Sequence, residues 1–261
     1  MTETDRASLR EACGRLEYPG LVARLTAMIG RPMEDGMKRL PAGWSDQVQG
    51  AAERAIGTSL EVALKSLPPR SREGSDSDEL HRFLGMGSGA IGGFFGLPGT
   101  LLELPVSTTL MLRSIADIAR AEGEDLARTE ARLACVEVFA YGANPAEDDA
   151  AESGYYGLRI ALGLRLSVTS RQFVEQGLSQ HAVPGAIGFV RAIASRFGVV
   201  VSDKLAFQLV PVAGAISGAV INAVFMRHFQ DVARGHFTVR RLERTYGTAT
   251  VRRAYERVRL E

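Results

Sequence analysis

Extended-strand signals are almost missing from this sequence. The one β-branched run, Val199 to Val201, is three residues long, and no alternating apolar–polar stretch stands between turn residues. That excludes a sandwich, a barrel or a parallel sheet as the main architecture. Cysteine is nearly as scarce. Cys13 and Cys135 stand far apart, which gives neither a disulfide framework nor a metal-ligand spacing and suits a reducing compartment. Net charge is low, +1 over 261 residues, so no global field draws in nucleic acid. The opening MTETDRASLREACGR mixes acids and bases without an apolar stretch, so it does not read as a secretion signal and points to a chain kept on the cytoplasmic side. What remains is 46% hydrophobic and 23% charged, an ordinary globular balance that excludes a fully disordered or collagen-like chain.

Helical periodicity fills the space that strands leave. Leu21, Val22, Leu25, Met28 and Ile29, then Met33, Met37 and Leu40, predict two short helices, with Pro32 opening the second. A longer helix is expected from Ser45 to Leu67, burying Val48, Ala52, Ala55, Ile56, Leu60, Ala63, Leu64 and Leu67. The Pro-led, aperiodic PPRSREGSDSDE at 68–79 reads as a linker. It separates an N-terminal helical region, 1–67, from a helical core, 80–261, the two expected to form one continuous domain. Within the core, helices are predicted near Asp125–Tyr141, with Leu126, Leu133, Val136 and Phe139 inside. Further helices are predicted after Asn144-Pro145, over Gly185–Phe197, and in the tail around Arg240 and Arg253.

Two segments depart from ordinary composition. Residues 83–102 run uncharged, FLGMGSGAIGGFFGLPGTLL, with seven glycines; Gly85, Gly89 and Gly93 stand four apart. Residues 205–226 are also uncharged, with Gly214, Gly218 and Asn222 four apart. Small residues at that spacing line one helix face and let another backbone come close. Each glycine costs an exposed helix about 1 kcal/mol relative to alanine, so tight packing or a membrane must compensate. Pro98-Gly99 predicts a break. The resulting expectation is an all-α multi-helix bundle with two central Gly-rich apolar helical hairpins. The runs also end alike: MLRSIADIAR at 111–120 echoes FMRHFQDVAR at 225–234, matching Arg113 with Arg227, Asp117 with Asp231 and Arg120 with Arg234. In each copy the Asp is expected to pair with the Arg four residues before it.

Together these residues resemble the EcsC family of bacterial proteins. The resemblance lies in IGRPMEDGMKRLP at 29–41, LKSLPPR at 64–70, the Gly-rich segment at 85–99 and ESGYYGLRIAL at 152–162. It is most specific in the long stretch at 204–247 that begins KLAFQLVPVAGAISGAVINAVFMRHFQDVARGHF. It implies a mostly helical fold and a gene setting beside an ABC transporter. It implies no particular reaction, although some members carry a loose peptidase label.

Catalytic signatures are thin. Gly87-Ser88-Gly89-Ala90-Ile91-Gly92 fits G-x-G-x-x-G, but no strand precedes it, so helix packing is the better reading. H-E-x-x-H and G-x-S-x-G do not occur. His228, Asp231 and His236 lie close in sequence and carry metal-ligand chemistry, with His236 expected at a turn after Gly235; hydrogen-bonding roles are the plainer reading. Glu103, alone in an apolar stretch, is expected to find a cation such as Lys204 or to sit at a wet turn. Asn222 is expected to bond across to the other hairpin, Cys135 to be a core thiol, and Tyr155 and Tyr156 to form a half-buried helix edge. The acidic 122–152 region and the Arg-rich 227–261 tail can pair with each other, or the tail can meet anionic headgroups.

The function expected is a non-enzymatic membrane- or lipid-associated helical protein, an accessory to transport or export, cytoplasmic and peripheral to the inner face of the cell membrane. Its expected partners are anionic lipid or a membrane transporter, with a second copy of the chain as a further candidate. Nucleic acid and cofactors are not expected. The alternative is a peptidase-like, metal-dependent hydrolase using Glu103, His228, Asp231 and His236.

Overall fold

The structure is a computed structural model that describes residues 1–17, 21, 41–66, 96–143, 154–164, 184–208 and 218–260. Among them are helices and no strand. In chain order the helices are α1 (Glu3–Glu17), α2 (Trp44–Ser66), α3 (Gly96–Ala121), α4 (Thr129–Tyr141), α5 (155–164), α6 (Pro184–Gln208), α7 (Gly218–Tyr246) and α8 (Thr248–Leu260). The all-α expectation holds. The linker at 68–79, the helices expected within 18–40, and Gly85, Gly89, Gly93 and Gly214 lie outside the described residues, so the two expected Gly-rich hairpins fall largely outside them too.

Helix α4 is the axis of the bundle. Ten of its thirteen residues are buried, from Ala131 through Tyr141, so it is apolar on every side and needs neighbours all round. Helices α2, α3, α6 and α7 supply them. Phe139 of α4 meets Phe197 of α6 and Phe229 of α7 at ring-centroid distances of 5.2 and 5.4 Å, and Phe225 joins Phe229 at 5.2 Å. Tilted and edge-on contacts of this kind add to the burial of large side chains. Arg132 of α4 reaches back and donates to Leu64 O at 2.7 Å, satisfying a carbonyl in the last turn of α2.

Helices α3 and α7 lie parallel and in register. Gln230 Nε2 donates to Ser114 Oγ at 2.8 Å, Thr238 Oγ1 to Glu122 Oε1 at 3.2 Å, and Arg240 Nε to Glu124 Oε1 at 2.7 Å. All three bonds span 116 positions, which only a parallel pair allows. The sequence echo therefore corresponds to two side-by-side helices. Its ion pairs differ from expectation. Asp117 pairs with Arg120 and Asp231 with Arg234, each three residues ahead rather than four behind.

Glycine closes the turn after α3. Gly123 takes φ +80°, Glu124 N donates to Ala119 O at 2.9 Å and Gly123 N to Arg120 O at 2.9 Å. This C-terminal motif uses a left-handed residue that glycine adopts without steric cost, and it aims Glu122 and Glu124 at α7.

Three further expectations are corrected. Helix α3 runs unbroken from Gly96 through Pro98, because a proline in the first turn forfeits an N–H that has no intrahelical partner anyway. Helix α7 continues through Gly235 and His236 to Tyr246, so no turn falls there. Gly235 has a packing role instead: a Cβ on it would stand 2.8 Å from Leu16 Cγ and 3.1 Å from Ala12 O, so α1 lies against bare α7 backbone. Finally, α6 extends to Gln208, and the Val199–Val201 run is helical.

Candidate functional site

Polar side chains gather in the interior where α4, α5, α7 and α8 meet. The 3.6-residue repeat puts Glu137 and Tyr141 on one face of α4, and Tyr141 Oη donates to Glu137 Oε2 at 3.1 Å. Helix α5 brings Tyr155, Tyr156 and Arg159; α7 brings His236, Arg240 and Glu243; α8 brings Tyr255. Tyr155 and Tyr156 are buried, not a half-exposed edge, and their rings meet the Tyr255 ring at 5.5 and 5.1 Å.

Arg159 organises the cluster. Its guanidinium holds Glu243 by two bonds of 2.8 and 2.6 Å and lies 5.8 Å from the centroids of Tyr155 and Tyr156. A bidentate fork of this kind is the strong form of a carboxylate–arginine pair. Glu243 also accepts from Tyr156 Oη at 2.9 Å. Arg159 Nη1 sits 3.4 Å from Tyr155 Oη, which in turn lies 2.8 Å from His236 Nδ1. With Arg159 donating to the Tyr155 oxygen, the phenol is free to donate its own proton to Nδ1, leaving His236 with its proton on Nε2. Burial, joined by the positive charges of Arg159 and Arg240, holds His236 well below the ordinary histidine range and so neutral. Burial likewise raises Tyr155. Two polar atoms of this cluster have no hydrogen-bond partner among the described residues: Glu137 Oε1 and His236 Nε2.

A second set of salt bridges flanks the cluster. Arg240 binds Glu124 through Nε at 2.7 Å and Nη2 at 3.0 Å, Arg244 also reaches Glu124, and Arg241 binds Glu122 at 2.8 Å and Asp5 at 3.5 Å. This part of the basic tail is spent inside the fold on the acids that follow α3. Burial works against the Glu124 charge, yet the hydrogen bonds and charges of Arg240 and Arg244 hold the carboxyl below its ordinary value. The outer arginines of α8, Arg252, Arg253, Arg257 and Arg259, stay exposed.

The sequence candidates fall in separate places. His228 is buried with Nε2 2.7 Å from Gly142 O, at the end of α4. His236 is eight residues on, about 12 Å along the helix axis, and belongs to the tyrosine cluster. Asp231 pairs with Arg234 at 3.1 Å. Glu103 is half-buried on α3, and its charge acts on Lys204 against the larger effect of burial. Lys204 itself is buried with Nζ 4.5 Å from the Phe225 ring centroid, and burial pushes its amine down to about 8. Gly218 opens α7, and Asn222 is half-buried one turn later. Among the described residues no three His, Cys, Asp or Glu side chains are grouped to hold a metal.

The profile of the EcsC protein family matches residues 21–242, most of the chain. The chain belongs to the EcsC family. No curated protein and no solved structure matches it. The family match takes in α2 to α6, nearly all of α7 and, within them, Glu137, Tyr155, Arg159, His236 and Arg240; Glu243 and Tyr255 lie beyond it. Sequence reasoning missed this cluster because its members come from segments more than a hundred residues apart, from Glu137 to Tyr255. The signal that existed was the oddity of Glu137 as the one charge in the run from Leu133 to Tyr141.

Proposed function

We propose that the protein is a non-enzymatic, membrane-peripheral EcsC-type protein that attaches reversibly to lipid at one end of its bundle. The observation behind this reading is the parallel register of α3 and α7. Because the two helices run the same way, their N-terminal ends, where the uncharged runs 83–102 and 205–226 feed in, stand at the same end of the molecule. The acid–arginine contacts sit at the other. At the uncharged end Val106 is 60% exposed and Val220 40% exposed. The C-terminal part of α6 arrives there too, with Lys204 over Phe225.

Among the described residues no helix is long and apolar enough to cross a membrane. Shallow attachment of an apolar end fits that better than a span. The gene setting implied for the family supports a membrane transporter as the partner and the inner face of the cell membrane as the place. The hydrolase alternative has less behind it, since His228, Asp231 and His236 are each engaged with a different neighbour.

Flotation of the full chain with liposomes tests the reading, using zwitterionic vesicles and vesicles containing anionic phospholipid. Wild type is expected to float, and Val106→Asp with Val220→Asp to stay at the bottom while keeping its helical circular dichroism. A wild-type chain that floats with neither composition removes the proposal.

A further inference from the structure

Glu137 is 3% exposed at the centre of the most buried helix, and its surroundings do not supply a counter-ion. Its one hydrogen bond comes from Tyr141 on its own helix. The groups that act on it from other helices, among the described residues, are Arg159 of α5 and Arg240 of α7; no charged group of α2, α3 or α6 contributes. Both arginines are already held by two bonds each, Arg159 by Glu243 and Arg240 by Glu124. Tyr155 and His236, the neutral members of the same cluster, complete the surroundings, and His236 stacks on Tyr141 with ring centroids 4.9 Å apart. A carboxylate here would carry an unpaired buried charge with Oε1 lacking any donor, a cost that a protein interior relieves by protonation.

We propose that Glu137 is a proton-binding site, a carboxyl that the packing of α5 and α7 on α4 keeps protonated to higher pH than an exposed glutamate and that gives up its proton more readily when α4 is loosened from them. The ligand is a single proton, and the site is built from three parts: a carboxyl without a counter-ion, a tyrosine donor on one oxygen, and a neutral histidine kept neutral by the arginines beside it. Burial pushes the carboxyl up to about 7, against an ordinary 4.5. Folding therefore takes up a proton between those two values. The native state then binds more protons than the unfolded chain, so rising pH weakens folding across that window. Below it both states are protonated and above it neither is, so the dependence flattens on both sides.

Two measurements test this on the full chain. The first is infrared spectroscopy at neutral pH, where wild type is expected to show the C=O stretch of a protonated carboxyl that Glu137→Gln lacks. Tyr141→Phe removes one hydrogen bond to the same group and is expected to shift that band. This arm keeps the test decisive if the Gln variant fails to fold. The second is chemical denaturation from pH 4 to 9. The ratio of the wild-type to the Glu137→Gln folding constant is expected to fall about tenfold per pH unit between 4.5 and about 7 and to be level on either side. Absence of a protonated-carboxyl band in wild type, a band indifferent to Tyr141→Phe, or pH profiles that run parallel throughout would each overturn the assignment.

Discussion

Arg159 is the side chain whose removal the structure makes most costly. Among the described residues it is the cation that touches Glu243, whose side chain is 7% exposed, against 20% for Arg159 itself. Arg159→Met keeps the aliphatic length over Tyr155 and Tyr156 and deletes both bonds to the carboxylate, leaving Glu243 buried with Tyr156 Oη as its remaining donor. Breaking a buried pair from one side costs about 3–5 kcal/mol. The partial exposure of Arg159 argues for the lower end, about 3 kcal/mol. Spread over the unfolding entropy of a chain this size, that is a fall of about 5 °C in Tm. Glu243→Gln preserves an acceptor for Tyr156 and should cost less. In the double variant the two losses should not add, with a coupling of about 1–3 kcal/mol. Urea denaturation of the four proteins at pH 7 measures it. If Arg159→Met unfolds within about 0.5 kcal/mol of wild type, or if the coupling vanishes, water holds this pair apart and the picture of a dry polar cluster is wrong.

Gly235→Ala sets a methyl group against Leu16 and the Ala12 carbonyl; a loss of about 1–3 kcal/mol is expected, read as lower Tm and earlier proteolysis of α1. Lys204→Met should be stabilising at neutral pH. Burial holds the Lys204 amine at about 8 rather than 10.5, so the unfolded chain binds the extra proton and wild-type stability climbs as pH rises through that window; the variant should lack the climb, and a preserved climb would count against the burial of Lys204. Cys135 is buried in α4 with its thiol pushed up to about 12, so a thiol-alkylating reagent at pH 8 should spare it in the native protein and modify it in denaturant, as mass spectrometry of the Cys135 peptide would show.

Much of this fold could be read from periodicity alone. The apolar positions named for α2, from Val48 to Leu64, are all buried, and Leu126, Leu133, Val136 and Phe139 are all inside. These elements are legible because local spacing decides them. Proline and glycine misled where their position in the helix mattered more than their identity: Pro98 falls in a first turn, and Gly235 sits mid-helix because α1 needs the space. The ion pairs of the echo moved from four residues behind to three ahead, since both spacings lie on one helix face and side-chain direction chooses between them. The polar cluster was not legible, because a buried carboxyl, a histidine and two tyrosines acquire meaning only once α4, α5 and α7 are placed together. Tyr155 and Tyr156 look like an edge in one dimension; in three they are roofed by α8, whose Val251 and Tyr255 pack beneath its exposed arginines.

The two echoed helices differ in charge at their C-terminal ends. At one end of the parallel pair the first copy terminates in Glu122 and Glu124, while the second continues as Arg240, Arg241 and Arg244 at the same height. Opposite charges at matching positions hold this register, because a shift of one helical turn would take the Glu124 carboxylate away from Arg240 and break both bonds between them, setting it level with the neutral His236 in one direction. At the other end the helices open without charge, from residue 96 to 102 and from 218 to 226, and the charges beside these stretches, Glu103 and Lys204, act on each other. A bundle whose helices were antiparallel would have split its uncharged runs between two ends. The parallel arrangement brings the starts of the two helices, Gly96 and Gly218, to one end of the molecule, in a register held by five charged side chains at the other.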